Sequence, residues 1–386
     1  MPHNDAYIYE RMQSGINILS IVPYSILPAQ SGGKLTIREL HHYLGKICID
    51  NVAGTTDNED NTQYSFRLHK VLSDSKLRYL PYSGTAKLYK LAKDNDVKYV
   101  HTEHHYMGYT AMAVAKKLGV PWFIRSHNIE SERFRSIGKS WWPIMRWFEK
   151  SMMQQANGIF FITREDADWA IKNYGISAAK CHVLPHGTPL AAKPVHNANA
   201  KAEIAQTLHI PTDVPWLYFL GALDYQPNKE ALTHILNDIV PLLNAKGLKY
   251  QLLIAGKGLS NELTVQINAT DNIHYMGFVP DLDTFLHACD VMLNPVMTGG
   301  GIKTKAVEAL GYNKIVVSSQ AGAAGLIPSV CGNNLQIVKD YDWKVFADAV
   351  TNCTSNQPSI PDSFYDTYNW DKIAANVLAI MQSTKA

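Results

Sequence analysis

Cysteine is scarce and scattered: Cys48, Cys181, Cys289, Cys331 and Cys353 form an odd set with no C-x-x-C pair. That excludes a disulfide framework and a thiolate zinc site, and it suits a reducing cytoplasm. No uncharged apolar run approaches the ~18 residues of a membrane span. The polar stretch 1–14 lacks the basic and then apolar regions of a secretory signal. The chain is therefore expected to be neither exported nor membrane-spanning. Charge of one sign is missing too: 36 Lys and Arg against 34 Asp and Glu leave +2, too balanced for nucleic acid to be the expected partner. An anion site has to be local. The pattern G-x-G-x-x-G is absent, so a nicotinamide or flavin cofactor is unsupported. The loops hold no cluster of carboxylates for a divalent ion, and neither metal nor cofactor is expected. Low complexity and short-period repeats are absent as well.

What is present is core material. A hydrophobic fraction of 46% over 386 residues suffices for two domains, or three small ones, at about 100 to 200 residues each. Short β-branched runs at 16–22, 98–101, 121–126, 158–162 and 181–184 alternate with helix-compatible stretches, notably 34–45, 108–118 and 143–156. Residues 185–215, rich in Pro, Ala and Asn, read as a linker with at most one short helix. The alternation restarts with strands at 216–220, 250–255, 272–276, 291–295, 314–318 and 335–338, and 363–382 reads as a closing helix. Such alternation predicts an α/β chain of two parallel-sheet domains, whose ligands bind beyond the carboxyl ends of the strands in the cleft where those ends face each other.

The loops expected there carry the chemistry. Ser31-Gly32-Gly33-Lys34 opens a helix; it is either an anion-binding glycine pair or an ordinary turn. Arg125-Ser126-His127-Asn128-Ile129-Glu130 puts five polar or ionisable residues at a strand's end, where His127 could donate to a substrate and Glu130 accept from Arg133; a helix cap is the plain alternative. Glu103, His104, His105 and Tyr106, after the strand ending at His101, either face an acceptor or form a satisfied polar rim. The most specific stretch is 295–310: Gly299, Gly300 and Gly301 precede a helix carrying Lys303, Lys305 and Glu308, suited to a diphosphate and, through Glu308 on the face of Lys305, to ribose hydroxyls. Glycines recur after neighbouring strands at Gly221, at Gly256 and Gly258 around Lys257, and at Gly277. Phe278 and Val279 then offer apolar surface and backbone groups to a base.

Together these segments resemble the retaining GT-B glycosyltransferases of family 4, or group 1. The likeness runs through GGK, SHNIE, LPHGTP, FLGALDYQPN, LLIAGKG, IHYMGFV, GGGIKTKAVEAL, KIVVSS and YNWDKIA, in that order. The resemblance implies two Rossmann-like domains facing across a cleft. A flexible tail (1–14) would precede an acceptor-side domain (15–190) and a nucleotide-sugar-binding domain (191–365), with a final helix (366–386) packing back on the first. It implies a hexosyltransferase acting with retention and without metal. Glu308 would hold the donor ribose, and Lys305 and Lys303 its phosphates. Gly33 would approach the diphosphate, and His127 the transferred sugar. Gly221, Asn228, Lys257, Phe278, Val279, Gly300 and Gly301 would complete the donor site, with Glu103, His104, His105 and Asn128 on the acceptor side. The donor would be a nucleotide sugar and the acceptor a glycan or glycolipid.

Two departures stand out. Many members carry a second glutamate where this chain has Gly300, and an arginine where it has Ala222; Asn228 or Lys229 could replace the latter. These departures suggest one alternative, a sugar-nucleotide-binding pseudoenzyme; a nucleotide-sugar epimerase or hydrolase on the same architecture is another. A last segment is ambiguous. Ile144, Trp147, Phe148 and Met152 recur at helical spacing beside Trp141, Trp142, Lys139, Arg146 and Lys150, which fits either core packing or an anionic bilayer interface. Core packing is preferred, because +2 offers little long-range attraction to lipid. A cytoplasmic protein, with peripheral contact at the inner face of the membrane as the less favoured addition, is the expectation.

Overall fold

A computed structural model describes residues 15–29, 31–354 and 358–385. The expected tail 1–14 lies outside them. The chain divides into two compact units, one built from residues up to Pro189 together with Trp370 onward, the other from Leu190–Asn369.

The first unit is a seven-stranded sheet made of β1 (Asn17–Ile21), β2 (Ile49–Thr55), β3 (Arg67–Leu72), β4 (Tyr99–Glu103), β5 (Trp122–Ser126), β6 (Gly158–Phe161) and β7 (Cys181–Val183). All pairs are parallel, in the order β3-β2-β1-β4-β5-β6-β7. Alternation sorts the side chains to two faces. Ile18, Phe123 and Phe160 pack under helix α1 (Gly32–Ile47) through Leu40 and Leu44. Leu19, Ile124 and Phe161 face the other way, onto α2 (Gly108–Leu118) and α4 (Trp142–Gln155), with the short α3 (Glu130–Ser136) preceding α4. Sequence reading missed β2 and β3. In β2, Asp50 and Asn51 interrupt the apolar run, yet both are buried with polar partners; β3 is a charged edge strand.

The second unit is a six-stranded parallel sheet, with β8 (Trp216–Leu220), β9 (Gln251–Ala255), β10 (Ile273–Gly277), β11 (Val291–Asn294), β12 (Ile315–Ser319) and β13 (Leu335–Val338) in the order β10-β9-β8-β11-β12-β13. Leu217, Phe219, Leu252 and Ile254 fill one face, while Trp216, Tyr218, Leu253 and Met292 fill the other. The strand order reverses between β1 and β4 in one sheet and between β8 and β11 in the other. At such a reversal the loops that leave the carboxyl ends diverge and open a crevice in each unit.

Three expectations need correction. Residues 190–215 are not a free linker: Ala200 and Ala205, on the helix Ala200–Leu208, are buried in the second unit's core, and Lys201 lies 3.0 Å from Asp290. The closing helix is two helices. Helices α5 (Thr304–Gly311) and α6 (Asp362–Tyr368) belong to the second unit. After the break at Asn369, α7 (Trp370–Ser383) packs through Trp370, Ile373 and Val377 beneath Tyr43 and Leu44 of α1. Lastly, the apolar stripe on α4 splits. Met152 is buried and Phe148 half-buried, but Ile144 and Trp147 are 70% and 63% exposed.

Candidate active site

In the first unit β4 extends to Glu103, two residues beyond its expected end, and Glu103 pairs in register with Arg125 of β5. His101 pairs in the same way with Ser20 of β1. Ser20, Asp50, His101, Glu103 and Arg125 therefore share the face beneath α1, and all are buried. His41 descends into them from α1. Its Nδ1 lies 2.7 Å from Asp50 Oδ2 and its Nε2 lies 3.2 Å from Glu103 Oε1, while Ser20 Oγ donates to Asp50 Oδ1 at 2.6 Å. The other oxygen of Glu103, Oε2, is 2.5 Å from His127 Nε2, and Arg125 Nη1 is 3.4 Å from Oε1. Burial works against every charge here, but the groups compensate one another. Asp50 and Glu103 raise His41 to about 9, and the Arg125 guanidinium together with His127 and His41 holds Glu103 well below the usual carboxylate range.

His127 is the rim of this buried chain. The ring of His104 stacks on it at 4.3 Å between centroids, and Tyr24 Oη lies 2.7 Å from His104 Nε2. Burial, followed by the neighbouring His127, holds His104 well below its ordinary value and so keeps it neutral. The four residues expected on the acceptor side have different fates. Glu103 is enclosed beneath His127. His105 is enclosed under α4, with Nε2 3.1 Å from Met145 Sδ and Nδ1 3.7 Å from Glu149. Both support the site rather than face an acceptor. His104 keeps only an edge at the surface, and Asn128 is half-buried, donating to Glu130 Oε1 at 3.3 Å. Glu130 accepts from Arg133 Nε at 2.8 Å, as expected, and from Tyr106 Oη at 2.6 Å. The SHNIE segment does not cap α3. Glu149 does so instead, its carboxylate accepting from the amides of Glu130 at 2.8 Å and Ser131 at 3.1 Å. Gly33 lies in the first turn of α1, where Ser31 is the cap and no atom stands within 4 Å of the position a Cβ would take.

His41, His101 and Glu103 bring ligand-type atoms within 4.8 Å of one another. Their surroundings do not suit a cation, because Arg125 already lies against Glu103 and His41 carries a proton between two carboxylates.

In the second unit the loops after β8, β9 and β11 meet. Gly256 adopts φ +141°, and a Cβ there would stand 1.7 Å from the carbonyl oxygen of Gly221. Gly256→Ala is thus expected to lower stability by on the order of 3 kcal/mol, measured by thermal melting, through clash and backbone strain. Asn228 joins two of these loops: its Nδ2 donates to Ala222 O at 2.9 Å and its Oδ1 accepts from Lys305 Nζ at 3.0 Å. The Lys305 ammonium also stands 4.1 Å from the Phe219 ring centroid. Burial, with help from Lys303, lowers Lys305 to about 7, and burial raises Glu308, one turn further along α5, to about 7. Among the described residues the Glu308 carboxyl has no hydrogen-bond or ion-pair partner. A buried amine without a carboxylate and a buried carboxyl without a cation, on one short helix, are arranged for something that is not protein.

Two donor-side expectations shift. Helix α5 begins at Thr304, after the glycine run, and Lys303 just before it turns its ammonium back onto the carbonyls of Gly299 and Gly301, at 2.8 and 3.0 Å. Val279 packs toward the core, whereas Phe278 is 63% exposed with Lys257 Nζ 4.5 Å from its ring centroid. Gly300 is exposed, so that position offers backbone alone. Sequence reading did not single out His41, Asp50, Tyr24 or Phe219. Only the pairing of distant strands brings them to the site.

The description "Glycosyltransferase Family 4" matches residues 36–192, and "Glycosyl transferases group 1" matches residues 214–356. The chain belongs to the group 1, family 4 glycosyltransferases. A curated relative, the UDP-Gal:alpha-D-GlcNAc-diphosphoundecaprenol alpha-1,3-galactosyltransferase of Escherichia coli, is 24% identical over 268 residues, which is 66% of this chain. The chain spans 64% of that relative and 46% of a second one, from Klebsiella pneumoniae. This glycosyltransferase also shares its fold with sucrose-phosphate synthase from Thermosynechococcus elongatus (TM-score 0.69, 17% identity, 95% of this chain and 98% of that one). Anabaena HepE in complex with UDP and glucose is similar too (TM-score 0.66, 14% identity, 95% and 100% covered). With them it is a GT-B protein of two Rossmann-like units. No helix among the described residues is long and apolar enough to cross a membrane.

Proposed function

We propose that this glycosyltransferase moves a hexose from a nucleoside diphosphate sugar to a glycan or glycolipid acceptor, with retention and without a metal. The observation that carries the reading is the unneutralised pair on α5, Lys305 and Glu308. The ammonium of Lys305, steered by Asn228, pairs with the diphosphate; the Glu308 carboxylate takes the ribose hydroxyls. Phe278 gives its exposed ring to the base, and the backbone of Gly299 to Gly301 serves the sugar where Gly300 has no side chain. His127 bonds to the transferred sugar, held by Glu103. As the C1–O bond to the phosphate breaks, the acceptor oxygen bonds C1 on the same face and passes its proton to the departing phosphate. No pair of enzyme carboxylates is needed. The name of the Escherichia coli relative and the UDP-glucose pair in the Anabaena complex support this donor class.

A thermal-shift screen against UDP, GDP, ADP and dTDP sugars tests it. The matching donor at 100 times its Kd should stabilise the protein by about 2.7 kcal/mol. EDTA should leave both that shift and the turnover unchanged, since the ammonium of Lys305 replaces a divalent ion. A shift that vanishes in EDTA and returns with magnesium contradicts the metal-free reading. Tight donor binding without turnover across an acceptor panel would make the chain a sugar-nucleotide-binding protein.

A further inference from the structure

Among the described residues sixteen large hydrophobic side chains are exposed, and the eight in the first unit fall in only two short segments. Leu77, Tyr79, Leu80 and Tyr82 form one; Ile137, Trp141, Ile144 and Trp147 form the other. Elsewhere among that unit's described residues the surface is free of them. Half-buried rings link the two segments within one unit: Tyr82 lies 5.7 Å from Tyr109, and Tyr109 lies 5.5 Å from Phe148 of α4. The same first segment leans on the mouth of the site, where Arg78 Nε and Tyr79 Oη both donate to Pro23 O, at 2.6 and 3.2 Å, and Tyr79 lies 6.0 Å from Tyr106.

The charge of these segments is as uneven as their apolarity. Residues 76–93 hold Lys76, Arg78, Lys87, Lys90 and Lys93 and no acid. Residues 131–150 hold Arg133, Arg135, Lys139, Arg146 and Lys150 against Glu132 and Glu149, an excess greater than the +2 of the whole chain. Part of it is spent internally. Lys90 pairs with Asp94, Arg133 with Glu130, and Arg135 and Arg146 both approach Glu132. Lys76, Lys87, Lys139 and Lys150 have no acidic partner among the described residues. The chain's small net charge hides this local asymmetry, and local charge is what a charged surface meets within a Debye length.

We infer that this face of the first unit docks on an anionic phospholipid bilayer, with Trp141, Ile144, Trp147, Leu77 and Leu80 entering the headgroup boundary and unpaired lysines, Lys139 and Lys150 among them, meeting lipid phosphates. Trp and Tyr side chains combine an apolar body with a polar tip, as the interface requires, and lysines beside them add attraction that salt screens. Helix α4 is apolar on two sides: Phe148 and Met152 hold it to its sheet, leaving Ile144 and Trp147 for an outside partner. The inference goes beyond the proposed reaction and does not depend on it, because docking needs neither donor nor acceptor.

The test is co-sedimentation of the whole chain with vesicles of phosphatidylcholine, with and without phosphatidylglycerol, in the absence of substrates. Binding is expected to the anionic vesicles alone at low ionic strength and to be lost in high salt. At about fivefold per cation near the surface, Lys139→Glu with Lys150→Glu should weaken partitioning by well over tenfold. Ile144→Ser with Trp147→Ser should abolish it. These residues are exposed, and circular dichroism melting should show both variants as stable as the parent. Absence of binding to anionic vesicles at low salt overturns the inference, as does equal binding to neutral ones. So does a dimer seen by light scattering that Ile144→Ser with Trp147→Ser dissolves, which would assign the face to a second copy of the chain.

Discussion

Lys305→Ala and Glu308→Ala are each expected to cut turnover by roughly 10²-fold or more while the protein melts no lower than the parent. The two halves of that outcome have one cause. Burial strips water from both groups, holding the lysine at about 7 and the glutamate at about 7, so the folded protein carries each at a cost in the absence of a ligand. With the donor bound, the ammonium meets diphosphate charge that grows as the glycosidic bond breaks, and a charge-assisted bond in a dry site contributes most in the transition state. Steady-state kinetics beside thermal melting check both halves. Near-normal turnover in both variants would remove α5 from the active site, and a large fall in melting temperature would mark the pair as structural.

Glu103→Gln is expected to destabilise the first unit by about 3 kcal/mol or more, because it leaves Arg125 and His41 buried with one carboxylate fewer. For a unit of this size that corresponds to a fall of roughly 6 to 12 °C in melting temperature. The pH dependence separates this cause from a packing defect. His41 is raised from 6.5 to about 9, so its contribution is complete below pH 6.5 and is lost as pH rises through 9. Removing the Glu103 charge lowers His41, and the stability gap between parent and variant should therefore narrow from pH 6.5 to pH 9. A gap that stays constant across that window would show that the charge of His41 is not coupled to Glu103. Because Glu103 also orients His127, kcat should fall more than donor affinity.

These two sites differ in how far the sequence exposes them. Lys305 and Glu308 lie three residues apart on one helix, next to a glycine run, and local spacing is enough to pair them. All six strands of the second sheet were legible for a similar reason, being apolar runs between turns. The chain of groups beneath His127 is another matter. It joins β1, β2, β4, β5 and α1, elements that lie as far apart as Ser20 and Arg125, and its polar members hide β2 as an apolar run and make β4 read two residues short. The one local hint was periodicity two: His101 and Glu103 fall on one face of a strand only if that strand continues past His101. In α4 the reverse happened. A 3.6-residue period was visible, but it could not say which of two apolar faces met the sheet.

The return of the chain at Asn369 to Trp370 has a consequence for how the protein comes into being. The first unit's sheet leaves the ribosome early, yet the helix that roofs Tyr43 and Leu44 is encoded beyond the whole of Leu190–Asn369. At about 5 to 20 residues per second, that interval amounts to roughly 10 to 40 s in which the nascent first unit displays an uncovered apolar groove. Residues made after the whole of the second unit therefore complete the first, so the first unit cannot be cut out of the gene as one continuous piece, whereas Leu190–Asn369 is one continuous piece already.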